Sequence, residues 1–204
     1  MPRTARRSAL PAKTPATRAA VLRAMLRAAA VPSALAAALA AISLLGGCAT
    51  ARHLFAPKSA EATLAPTRGN SAAGLMSFRT QGTELLIQGT LTGLTPGAHG
   101  LHIHEGGDCG GPGARNAGGH FNPTGARHGS PGSASHHAGD LPMLTAGADG
   151  SARFQARMGG LSLEDGPNGV IGRTIIVTAR PDDYTTQPTG NSGPAVACGV
   201  IHTR

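Results

Sequence analysis

The chain is 204 residues long, which at roughly 100–200 residues per domain allows one folded domain plus appended segments. Aromatic residues make up 2% and Trp is absent, which argues against a nucleic-acid binder built on stacking platforms. The formal net charge of +8 does not mark a nucleic-acid face either: residues 1–47 hold seven of the 18 Lys+Arg and no acid, and the remainder holds 11 basic against 10 acidic residues, a net of +1.

The N-terminus reads as an export signal. Arg3, Arg6, Arg7, Lys13, Arg18, Arg23 and Arg27 lead into an apolar run from Val31 to Leu45, interrupted only by Pro32, Ser33 and Ser43. The run is too short for a comfortable membrane span and fits a signal h-region. It ends in Leu44-Leu45-Gly46-Gly47-Cys48, which resembles a bacterial lipobox. Residues 1–47 are therefore expected to be a lipoprotein signal peptide, with Cys48 the lipidated mature N-terminus; Met25-Leu26-Arg27 would begin a more compact version of the same signal. The expected location is the bacterial cell envelope, facing the periplasm, with membrane contact only through the lipid. Residues 48–60, rich in small residues and without periodicity, read as a tether.

The body, 61–204, reads as all-β. Gly74–Thr80 is strand-like, Gln81-Gly82 punctuates it, and Glu84–Leu91 follows. After the turn at Leu94-Thr95-Pro96-Gly97, Ala98–Glu105 is a further strand. Arg153–Met158 alternates with period 2, and Gly172–Ala179 is a β-branched run that fits a buried strand. Punctuating residues recur every 8–12 positions, the pattern of a sandwich or barrel.

Residues 106–139 break this pattern. They contain 11 Gly and no strand periodicity, and a structureless loop that long is unusual unless it is functional or cross-linked. Seven of the nine His lie between 99 and 137. His102 and His104 sit two apart on a predicted strand, so both imidazoles face one side and can meet one ion. Across the loop come His120, His128, His137 and Asp140. Imidazole suits Zn and Cu, and one carboxylate completes a tetrahedral zinc set. His99 falls on the opposite strand face. His136, His202 and His53 have no motif around them and read as surface residues.

At these positions the chain resembles the copper/zinc superoxide dismutases. The likeness rests on His99-Gly100-Leu101-His102-Ile103-His104-Glu105, Gly118-Gly119-His120-Phe121-Asn122-Pro123, His137-Ala138-Gly139-Asp140-Leu141, Ile171–Val177 and Ala197-Cys198-Gly199-Val200-Ile201, in order over 61–204. It implies a Greek-key β-barrel or sandwich of about eight antiparallel strands with long metal-binding loops. It further implies copper on His102, His104 and His120, with His120 bridging to a zinc held also by His128, His137 and Asp140. Asp182 matches a carboxylate linking a copper His to a zinc His. Cys109 and Cys198 match a disulfide, which with a lipidated Cys48 leaves no Cys over, as expected outside the cytosol. Superoxide is the implied substrate, and a homodimer is compatible with the resemblance.

Two departures bear on activity. Thr178 stands where the family has its fourth copper His, and Ala195 where it has an Arg that draws in and positions superoxide. Both fall on the copper side. The expectation is a dismutase of weak or lost activity; the other readings are a zinc-stabilised protein that binds copper without turnover, and a structural lipoprotein whose loop zinc folds.

Overall fold

The computed structural model describes residues 59–204; the signal segment, Cys48, His53 and the tether up to residue 58 lie outside the described residues. Ten strands form one sheet in the order β4-β6-β7-β3-β2-β1-β9-β8-β5, with β10 paired to β1. They are β1 Ser59–Pro66, β2 Ala73–Gln81, β3 Glu84–Thr92, β4 Gly97–His99, β5 Leu101–His104, β6 Leu144–Ala146, β7 Ala152–Met158, β8 Thr174–Thr178, β9 Ala195–Val200 and β10 His202–Thr203. The pairings between them are antiparallel.

The two ends of this order, β4 and β5, are consecutive in the chain and separated only by Gly100. They are two halves of one bent strand, so the sheet closes on itself into a nearly complete barrel. With β4 and β5 counted as one stave and the two-residue β10 set apart, eight staves remain. The bend needs glycine: a Cβ at Gly100 would collide with the Thr178 hydroxyl and crowd the His102 ring.

Period-2 alternation builds the core. Ala60, Ala62 and Leu64 of β1, Met76 and Phe78 of β2, and Leu85, Ile87 and Leu91 of β3 all point inward and are buried. The β2–β3 hairpin turns through two residues with Gly82 at φ 64, the positive φ such tight turns require at their first position. Strand β8 is buried at all five positions. Ile175 and Val177 enter the main core, whereas Ile176 packs outside the barrel against Ala114, Ala117, Ala195 and Cys198. The long loop covers that outer face, which is why the strand is apolar without alternation.

The structure differs from the sequence reading at three edges. Strand β1 begins at Ser59, two residues inside the segment read as tether, because its inward positions are alanines and give little hydrophobic contrast. The strand read over Ala98–Glu105 is broken at Gly100. Within 106–139, Pro112–Ala117 forms short 3-10 turns joined through left-handed Gly113 (φ 65) and Ala114 (φ 58). The loop is tied to β9 by the Cys109–Cys198 disulfide, with Cα atoms 5.8 Å apart.

Candidate metal centre

The loop returns to the barrel beside β5 and pairs with it on both sides of Ile103. Phe121 N donates to Ile103 O (2.8 Å), Ile103 N to Gly139 O (2.9 Å), and Gly139 N to Phe121 O (2.8 Å). Isolated bridges His104–His120 and His102–Asp140 continue this ladder. The pairing carries His120 and Asp140 to β5, where His102 and His104 already stand. A Cβ at Gly139 would strike the Ile103 carbonyl, so the close approach depends on glycine there.

Two groups result, and their ligand atoms lie within 4.8 Å of one another: His120, His128, His137 and Asp140 in one, His102, His104 and His120 in the other. In the first, Asp140 Oδ1 lies 2.9 Å from His120 Nδ1, 3.0 Å from His128 Nδ1 and 3.3 Å from His137 Nδ1. His120 Nδ1 and His137 Nδ1 are 3.4 Å apart. Ligand atoms about 2.0–2.1 Å from a tetrahedral ion are separated by about 3.3 Å, so this spacing fits one zinc-sized ion. The second oxygen, Asp140 Oδ2, accepts from His137 N (2.8 Å) and Gly129 N (3.1 Å), which fixes the carboxylate plane.

Asp182 spans the two groups. Its Oδ2 is 2.7 Å from His102 Nε2, and its Oδ1 is 2.9 Å from His128 Nε2. His128 therefore faces a carboxylate with each ring nitrogen. A neutral imidazole carries one N–H; given to Asp182, it leaves a lone pair aimed at Asp140, an arrangement that a cation between them satisfies. Gln187 clamps the His128 backbone, accepting from its N–H and donating to its carbonyl at 2.9 Å each.

In the second group two buried nitrogens have no partner: His102 Nδ1 and His104 Nε2. The opposite nitrogen of each ring is engaged, His102 Nε2 with Asp182 and His104 Nδ1 with Gly118 O at 2.8 Å. These bonds fix the tautomers and turn the free lone pairs toward His120, whose ring stacks on His102 with centroids 4.0 Å apart. Burial disfavours the protonated rings. It pushes His104 and His120 down to about 4 and lowers His102 despite the nearby Asp182 carboxylate. Burial works to raise Asp140, but bonds from His120 and from the Gly129 and His137 amides outweigh it and hold the carboxyl below its ordinary range. Neutral imidazoles around an ionised carboxylate are the protonation states that metal ligation needs.

The structure thus brings together the six candidate ligands and Asp182. Thr178 and Ala195 face each other as cross-strand partners of β8 and β9, at a register irregularity. Both line a cavity of about 270 Å³ that reaches His104 and His120. The Thr178 hydroxyl makes only long bonds, to Gly100 O (3.3 Å) and Arg180 O (3.4 Å). His99 stays out of the site and joins Thr95 O to Thr178 O, at 2.8 Å each. His202 is exposed; His136 is half-buried, its Nδ1 2.7 Å from His137 O, and contributes to neither group. Sequence reasoning missed the Gly118 carbonyl, a backbone group that leaves no residue-type signal, and Gln187, whose side-chain amide holds the His128 backbone from 59 residues away.

An antiparallel barrel closed at a glycine bend, with a disulfide-tied loop delivering histidines to one strand, describes a known family. The sequence profile of the copper/zinc superoxide dismutases (SODC) matches residues 72–201, and the chain belongs to that family. Among solved structures it is similar to the one titled "Crystal Structure Analysis of the clock protein EA4", at 37% identity and a TM-score of 0.66, covering 72% of this chain and 94% of that one.

Proposed function

We propose that the protein is an envelope-anchored member of this family that binds zinc through His120, His128, His137 and Asp140 and copper through His102, His104 and His120, and that it dismutates superoxide slowly. The observation that carries the copper assignment is the pair of buried, unpartnered nitrogens, His102 Nδ1 and His104 Nε2, on two residues whose ligand atoms group with that of His120 within 4.8 Å. An all-imidazole group suits copper, and a three-His, one-carboxylate group suits zinc. When bound, copper supplies one-electron redox chemistry, by which two superoxide ions and two protons become oxygen and hydrogen peroxide.

The chain's own residues hold and orient. Asp182 accepts the His102 Nε2 proton and Gly118 O the His104 Nδ1 proton, so both rings keep one tautomer. Asp182 also reaches His128, which couples the two groups through one carboxylate. Thr178 offers a neutral hydroxyl where a fourth imidazole would sit, and a hydroxyl is a far poorer ligand. Copper retention and turnover are therefore expected to fall well below those of a four-His site. Copper binding without turnover is the second reading, favoured by the fact that Thr178 and Ala195 alter one wall of the same cavity.

The deciding measurement is metal content and superoxide turnover of the copper-loaded protein, before and after Thr178→His with Ala195→Arg. Turnover near the diffusion limit in the unaltered protein overturns the weak-site reading. No copper retention in either protein overturns the three-His assignment. The anchor is tested separately by intact mass: Cys48 is expected to be lipidated and residues 1–47 removed.

A further inference from the structure

The outer face of β1, β2, β3 and β7 takes no part in the metal centre. Alternation sends Ala62, Met76, Ile87 and Phe154 inward, so the residues between them face out. The register sets these in cross-strand rows. One row runs Ser59–Arg79–Leu86–Arg157, and another Thr63–Leu75–Thr90–Arg153. Arg79, Arg153 and Arg157 are exposed, and their guanidiniums have no hydrogen bond or ion pair among the described residues. The outward positions of the four strands hold only two acids, both on the flanks: Glu61, which faces Arg204 at 3.6 Å, and Glu84 at the β2–β3 turn. Leu75, 45% exposed, is the one exposed large apolar side chain among the described residues, and it lies on this face with half-buried Leu86.

The same face carries the start of the barrel. Strand β1 begins at Ser59, at the end of the first row and directly across from Arg79. Residues 49–58 separate it from Cys48 and add Arg52 and Lys58 but no acid. At about 3.3–3.6 Å per residue, a chain held at Cys48 keeps Ser59 within about 40 Å of the point of attachment.

Resting on the anchor proposed above, we propose that this face docks on the anionic phospholipid surface of the membrane that holds the anchor. Arg79, Arg153 and Arg157 meet lipid phosphates, and Leu75 and Leu86 settle among the headgroups between them. Each basic side chain near such a surface strengthens partitioning by about fivefold. Three such contacts make a weak association, and a short tether supplies the high effective concentration at which it is occupied. The point of attachment favours lipid over an acidic protein, because the anchor brings this face to a membrane whatever else is present. In the closed ring of eight staves β3 stands opposite β8, so docking through β3 turns the cavity lined by Thr178 and Ala195 away from the bilayer.

The test uses the exported protein with its own N-terminus, carrying a nitroxide on Thr90→Cys, at the centre of the face, or on Ala134→Cys, on the metal-binding loop. With Cys48 lipidated and Cys109 joined to Cys198, the introduced thiol is the free one. The protein is reconstituted on vesicles of phosphatidylcholine, alone or with an equal part of phosphatidylglycerol, and EPR reads access of a water-soluble relaxation agent. Phosphatidylglycerol should shield the Thr90 label several-fold and leave the Ala134 label open. The shielding should vanish when Arg79→Gln, Arg153→Gln and Arg157→Gln are combined, and at high salt, because the reach of exposed charges shrinks below about 10 Å above 0.1 M. These side chains make no internal bond, so an unchanged melting temperature checks the fold. Equal shielding of both labels, shielding on phosphatidylcholine alone, or shielding that survives the triple change overturns the proposal. So does an open Thr90 label on both vesicles, and capture of soluble polyaspartate in that case assigns the face to an acidic protein. If intact mass shows Cys48 without lipid, the anchor fails, and sedimentation of that protein with the same vesicles reads the face alone. Binding to the phosphatidylglycerol vesicles that the triple change weakens at least about tenfold upholds the face; equal binding by both proteins overturns it.

Discussion

The two ligand groups share His120 and are built from the same loop and strand, yet they are finished to different degrees. In the four-residue group three imidazoles and two backbone amides converge on Asp140. The three-imidazole group has its outer bonds, through Asp182 and Gly118, but its inner nitrogens are unmet and its remaining wall is Thr178 and Ala195. The first group fastens the loop; the second lines an opening. Substitutions confined to the first group are expected to cost more stability than those on the Thr178 and Ala195 wall of the second.

The sharpest test of this division is Asp140→Ala beside Thr178→Ala. Removing a fully buried carboxylate strands three imidazoles and, on the proposed reading, removes a zinc ligand. We expect a loss of at least about 5 kcal/mol, counting both the broken buried group and the metal. Thr178→Ala removes two long hydrogen bonds and should cost about 1 kcal/mol. Thermal melts with zinc analysis read both, and equal effects would collapse the distinction. Next comes the disulfide. It closes a span of 89 residues, for which loop entropy gives about 4.6 kcal/mol on reduction. Reduction with chelation should release the loop, detected as faster amide exchange over 106–139 than in β2 and β3.

Acid should act on the ligand groups at a defined window. In the chelated protein burial puts His104 and His120 at about 4, against 6.5 in the unfolded chain. Between those values the unfolded chain binds more protons, so stability is full above pH 6.5 and falls as the pH drops toward 4. The buried His120 alone should contribute on the order of 2–3 kcal/mol across the window. Urea unfolding at a series of pH values measures it, and His120→Asn should flatten the slope. A pH-independent midpoint would show that these rings are protonated at no cost in the fold.

How far these features were legible in the sequence depended on what carries each one. Period-2 alternation with large side chains located β2, β3 and β7. It failed at Ser59–Pro66, where Ala60 and Ala62 supply the inward face, and at β6, only three residues long. The ligand set was legible because residue type carries it: His102 and His104 two apart, then His120, His128, His137 and Asp140 in a loop with no strand pattern. The bend at Gly100 was not, because it is set by the approach of Thr178 from elsewhere in the chain.

The remaining tests sharpen the unfinished half. Thr178→His places an imidazole on the wall that already bears His104 and His120, and should raise copper affinity at least tenfold, about 1.4 kcal/mol. A competitive chelator titration measures it, with the reduced ion gaining more than the oxidised one, which can recruit water instead. Ala195→Arg should do least. It adds a second guanidinium to a cavity whose wall already bears Arg115, and two like charges on one small wall repel. Its gain in kcat/KM over Thr178→His should be only about two- to threefold at low salt and vanish at high salt, where exposed charges are screened. In Arg115→Ala the same Ala195→Arg change should gain more, because no like charge then stands on the cavity wall. An equal gain in both backgrounds would mean that the two charges do not repel across the cavity.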